Sequence, residues 1–173
     1  MAETLLKIYG ITTSISKDEA VFAILNFSTD IGMVAPTLTY AKGWPGEAFV
    51  YFFNEPNPWE GRFKGHSSHI LDVAFLFQNY SEHLSAAQKE SSRRFAADVI
   101  KFVNGKAPWT AFDEKSPSAS VYGPSDTENR AVVLEVEENQ PELTKRRGDI
   151  LKFATEPGSD VISNVFGLFI AGR

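Results

Sequence analysis

Asn57-Pro58-Trp59-Glu60-Gly61-Arg62-Phe63-Lys64-Gly65-His66-Ser67-Ser68-His69-Ile70-Leu71-Asp72 lies between two stretches of different periodicity, and that contrast decides the fold class. Before it, Ala48-Phe49-Val50-Tyr51-Phe52-Phe53 is a short apolar run rich in β-formers, bounded by Gly46 and by the turn residues Asn54, Pro56, Asn57 and Pro58. After it, the segment Ile70 to Tyr80 carries apolar side chains at 70, 71, 74, 75 and 77, a helical spacing. The quoted run therefore joins a strand to a helix and sets His69 at the junction, where side chains project into a cleft. The strand Phe49–Phe53 alternates with nothing polar, which predicts a strand covered on both faces, as in a mostly parallel α/β sheet.

Working outward, Asp18 to Asn26 has helical spacing, with Val21, Phe22, Ile24 and Leu25 apolar and the start at Ser16 or Lys17. A second helix is expected from about Asp30, burying Ile31, Met33, Val34, Leu38 and Ala41 and ending at Gly43. Ser85-x-x-Gln88 reads as a capping box opening a helix to about Val103, with Phe95, Val99, Ile100 and Phe102 turned inward and Gly105 and Pro108 closing it. Residues 113 to 130 are rich in Ser, Pro, Asp, Glu and Gly and read as a surface loop. One strand follows, Ala131 to Val136, and Asn164 to Ile170 reads as a final apolar helix or tail. Two strands are too few for an independent sheet, so the chain is expected to need further strands beside its own.

The composition excludes several function classes. With 43% hydrophobic and 13% aromatic residues the chain can bury a core, to which 14 Phe contribute most of the large side chains. A net charge of −5 argues against nucleic-acid binding, which needs clustered Lys and Arg; Lys145-Arg146-Arg147 is short. The absence of Cys excludes disulfides, thiolate metal sites and a cysteine nucleophile. Met1 to Ile8 lacks the pattern of a signal peptide, which predicts a cytoplasmic chain, and no apolar run is seen to approach the ~20 residues of a membrane span, which predicts no membrane partner. No cofactor motif occurs: there is neither a phosphate loop nor a dinucleotide fingerprint.

The apolar strand Phe49–Phe53, the Asn57-Pro58-Trp59 turn, Gly61, Gly65, the His69-x-x-Asp72 pair and Phe75-Leu76-Phe77 resemble, in this order, the histidine loop of the type-B carboxylesterases. That family is the cholinesterase-like branch of the α/β-hydrolases, and its fungal members are the most similar. Ser28-Thr29-Asp30 with Pro36 and Ala41 resembles the family's helix before the last long strand, and Phe102 to Trp109 its C-terminal helix. The resemblance covers roughly residues 5 to 170. It implies that residues 1–173 are the C-terminal segment of a carboxylesterase domain, mostly helical with the last strands of the sheet.

These enzymes use a Ser–Asp/Glu–His triad in that chain order, and this chain holds only the last member. No G-x-S-x-G elbow occurs; Gly65-His66-Ser67-Ser68-His69 lacks the second glycine, so Ser67 is a poor nucleophile. The resemblance makes His69 the general base, a role suited to an imidazole that titrates near neutral pH. The plainer reading is a loop histidine packed on Trp59 or bonded to backbone. His66 and His69 lack an evident third ligand for a metal. Asp72 falls at the third position of a helix capped by His69, a structural place for a carboxylate. Trp59 and Phe63 are expected to line or brace the loop.

The function implied is a carboxylic ester hydrolase acting on a small-molecule ester, completed by an N-terminal half that a second polypeptide could supply. The competing reading is a non-catalytic remnant or interaction module of the same family. A small esterase rebuilt around Ser67 or Ser68 ranks last, because its oxyanion donors would have to arise anew.

Overall fold

The computed structural model describes residues 2–113, 115, 118–125 and 131–133, together with Asn164, Gly167 and Ala171. They belong to two compact units, Met1–Gly43 with Glu135–Arg173, and Trp44–Leu134. Among the described residues the first is helical and the second combines helices with a small mixed sheet. At that level the expected α/β class holds.

In the first unit, helix α1 (Ala2–Ile8) precedes α2 (Lys17–Thr29). Ser16 caps α2 with a full capping box: its hydroxyl accepts from the Glu19 amide, and the Glu19 carboxylate accepts from the Ser16 amide. Those bonds hold the Glu19 carboxyl below its ordinary range. The helix does not stop at Asp30. A π turn, Asp30–Val34, carries it into α3 (Ala35–Gly43), with the Ala35 amide bonded to the Asp30 carbonyl. Pro36 supplies no amide, and its ring conflicts with the carbonyl four residues back in a regular helix; the wider turn just before it relieves that conflict. Asp30 is fully buried and accepts from the Tyr9 hydroxyl at 3.1 Å, while the apolar face is thinner than expected: Val34 is buried and Met33 exposed.

This continuity corrects the reading that no apolar run is long enough for a membrane. Lys17–Gly43 is one helix of 27 residues with mean hydropathy 1.4 in its most apolar window, enough by length and composition to cross a bilayer. Core helices of soluble proteins and signal sequences meet the same measure. The polar Ser28-Thr29-Asp30 interrupts the apolar pattern in the sequence, but the π turn carries the helix through it.

In the second unit the sheet has the order β1 (Tyr51–Phe53), β2 (Ser118–Tyr122), β3 (Ala131–Val133), β1 and β2 parallel, β2 and β3 antiparallel. The central strand falls within the stretch expected to be a surface loop. Ser118, Ala119 and Ser120 are buried, and the Ser118 hydroxyl donates to the Ala111 carbonyl at 2.9 Å, so small polar side chains fill the interior without loss of hydrogen bonds. β1 is shorter than the expected Phe49–Phe53 and half-covered, with β2 on one side and no strand on the other among the described residues. Of the second expected strand, 131–133 is present; 134–136 lie outside the described residues, as does most of 164–170, where Asn164 and Gly167 are helical.

The core of this unit is aromatic. Phe53 meets Phe75 edge-on at 5.1 Å, and Phe95 meets Tyr122 at 4.7 Å, both Phe75 and Tyr122 being fully buried. Helix α4 (Leu71–Leu76) supplies Phe75, and helix α5 (Ala86–Val103) supplies Phe95. Ser85 and Gln88 form the expected capping box at the start of α5, and Gln88 Nε2 also donates to the Pro56 carbonyl at 2.8 Å. The Ser92 hydroxyl bonds the Phe75 carbonyl, joining α5 to α4. Of the residues expected inside, Phe95 is buried and Val99 half-buried, but Ile100 and Phe102 are 61% and 56% exposed. α5 ends at Val103, so residues 104–109 are turn and loop.

Candidate functional site

The loop after β1 is built by backbone closure. The Asn57 amide donates to the His66 carbonyl at 3.1 Å and the Gly65 amide to the Asn57 carbonyl at 2.8 Å, so residues 57–66 leave and return at one point. Inside the loop Asn57 Oδ1 accepts from the Trp59 amide, Glu60 pairs with Lys64, and Gly61 and Gly65 hold φ of 135° and 79°. After the closure Ser67 donates from its hydroxyl to the Phe53 carbonyl at 2.8 Å, and the Leu71 amide donates to the Ser68 carbonyl at 3.2 Å. His69 stands between these two attachments.

The helix behind it starts one residue later than expected. Ile70, not His69, is the cap of α4, with φ 67° and no side-chain capping bond, which makes Asp72 the second helical residue. The Asp72 carboxylate is engaged by Tyr51, whose hydroxyl donates to Oδ2 at 3.1 Å. Burial first, then the charge and hydrogen bond of Asp72, push the Tyr51 hydroxyl up to about 12.

His69 is exposed, and its imidazole makes no hydrogen bond or ion pair among the described residues. It lines an open depression of about 540 Å³ whose walls are Trp59, Tyr80, Ile70, Leu71 and Ala74, with Asn57, Ser68 and His83 as further polar members. Trp59 is half-buried against Leu71, Phe75 and Leu84 and meets Tyr80 edge-on at 6.0 Å, so it braces the loop as expected; Phe63 is more exposed. A free imidazole on an apolar wall can accept a proton from a hydroxyl brought to it and return the proton to a leaving group.

Among the described residues no hydroxyl is hydrogen-bonded to the imidazole: Ser67 spends its proton on the Phe53 carbonyl, Ser68 and Tyr80 line the depression without bonding the ring, and no carboxylate is among the described lining residues. Among the described residues no group of three His, Asp or Glu side chains comes together to hold a metal, and His66 lies off the depression. His83 was not legible as a site residue. It follows His69 by fourteen positions across α4 and a 3-10 turn (Ser81–His83), a separation with no periodic signal; Glu82 Oε1 lies 3.7 Å from its Nε2. The Tyr51–Asp72 pair was equally hidden, because it joins a strand residue to a helix residue twenty-one positions away at the surface.

No protein-family model matches the chain, and no curated protein matches it.

Proposed function

We propose that the chain is the C-terminal portion of a serine carboxylesterase of the type-B kind, with His69 as the triad base and with nucleophile, triad acid and oxyanion donors supplied by chain outside these residues. The observation that carries the reading is the placement of His69: a free imidazole on a strand-loop-helix junction, beside an apolar depression. Two further features support it. β1 has a partner on one side only among the described residues, as expected of a strand that continues a larger sheet. The depression beside the imidazole is walled largely by apolar side chains, Trp59, Ile70, Leu71 and Ala74, a surface suited to an apolar ester.

The reaction follows in outline. His69 takes the proton of the incoming serine hydroxyl as it attacks the ester carbonyl, then gives it to the departing alcohol; water repeats the cycle on the acyl-enzyme. The experiment is hydrolysis of a short p-nitrophenyl ester by the chain refolded with the nucleophile-bearing N-terminal portion of a type-B carboxylesterase. Turnover that requires both parts supports the reading, and its absence in a folded mixture removes it.

A second reading, a non-catalytic interaction module of the same ancestry, draws on the exposed apolar groups that line the site, Tyr80 at 62% and Ile70 at 57%. A stable monomer of the chain alone favours this reading, whereas obligate pairing favours the esterase portion.

A further inference from the structure

Resting on the reading of His69 as the triad base, we propose that Ser67 is a positioning residue for His69, its hydroxyl pinning the histidine turn to the C-terminal end of β1. The direction of the strand's carbonyls carries the argument. The Ser120 amide donates to Val50 and the Asn54 amide to Tyr122, so the groups of Val50 and Asn54 face β2. Backbone groups alternate along a strand, and the carbonyl of Phe53 therefore faces the opposite edge. Ser67 donates to that carbonyl, at the last residue of β1, at 2.8 Å from fourteen residues away.

This bond is the last side-chain attachment before the histidine. On the far side the turn is held by the Leu71 amide on the Ser68 carbonyl, and between these points lie His69 and Ile70. Ile70 adopts φ 67°, which a β-branched residue keeps only where its surroundings hold it. A strained turn fixed at both ends presents the imidazole in one place. With the first attachment gone, Ile70 is free to relax towards negative φ and carry His69 with it. Ser67 is itself exposed, so its removal separates positioning from folding.

The test uses the full 173-residue chain as Ser67→Ala and Ser67→Thr. The wild type and Ser67→Thr are expected to give one sharp His69 ring resonance by NMR. Ser67→Ala is expected to give a shifted or broadened one, with His83 unchanged as the internal reference. In the mixture completed by the N-terminal portion, Ser67→Ala lowers kcat about tenfold with KM unchanged, and Ser67→Thr restores it. An unchanged His69 resonance and unchanged kcat in Ser67→Ala overturn the positioning role, even where His69→Ala abolishes turnover and the esterase reading stands. Full activity in His69→Ala overturns the esterase reading instead, and the resonance then decides the role of Ser67 in the turn alone.

Discussion

The hydroxyl of Tyr51 on the edge strand donates to Oδ2 of Asp72 on α4 at 3.1 Å, tying the strand before the histidine loop to the helix after it. The two ends of the loop are thereby held at a fixed separation. Tyr51→Phe removes that tie and is expected to cost about 1 kcal/mol, the typical net value of one hydrogen bond, measured by urea unfolding.

The same hydroxyl gives a pH dependence whose sign is fixed. Its pKa is raised from 10.0 to about 12 in the folded chain. Above pH 10 the unfolded state gives up this proton first, so the folded state binds more protons and stability falls as pH rises. The contribution is complete below pH 10 and lost through about pH 12. Tyr122, raised in the same direction chiefly by burial, adds to the loss. Tyr51→Phe should flatten the decline over that window without abolishing it, which denaturant midpoints measured from pH 9 upward will check.

The cap of α5 is worth a separate measurement. Ser85→Ala leaves the Gln88 amide without its acceptor at the start of an 18-residue helix and is expected to destabilise the chain by about 1 kcal/mol. Ser85→Asp should restore most of it.

Gly123 holds φ 87°, and a Cβ there would stand 2.6 Å from the backbone nitrogen of Glu55. Both the left-handed conformation and the close approach demand glycine. Gly123→Ala should cost at least about 2 kcal/mol and loosen the parallel pairing of β1 with β2, seen as faster amide exchange at Asn54.

What was legible in the sequence follows from how local the signals are. The capping box at Ser85, the start of α2 at Ser16 or Lys17, the close of α5 by Gly105 and the placement of His69 between strand and helix depend on residues a few positions apart, and the structure has them there; the full box at Ser16 is seen only in the structure. β2 was missed because Ser118-Ala119-Ser120 has turn-like composition; its burial is decided by neighbours distant in sequence, β1 beside it and Phe95 on Tyr122, not by its own hydrophobicity. Ile100 and Phe102 have helical spacing, but periodicity does not say how fully a face is covered: both stay more than half exposed, although the Phe102 ring meets Phe49 edge-on at 5.9 Å. The strand-loop-helix setting of His69 was legible, but not Ser67's attachment to Phe53 or the arrival of His83 at the same depression, because both depend on how turns close in space.

The most direct test of the central claim is p-nitrophenyl ester hydrolysis by the chain completed with the nucleophile-bearing N-terminal portion, beside a His69→Ala control. The account predicts turnover in the completed wild type, none in either part alone, and a loss of at least about a thousandfold in kcat with His69→Ala. A folded, completed mixture that is inactive, or one as active with His69→Ala as without it, would contradict the account.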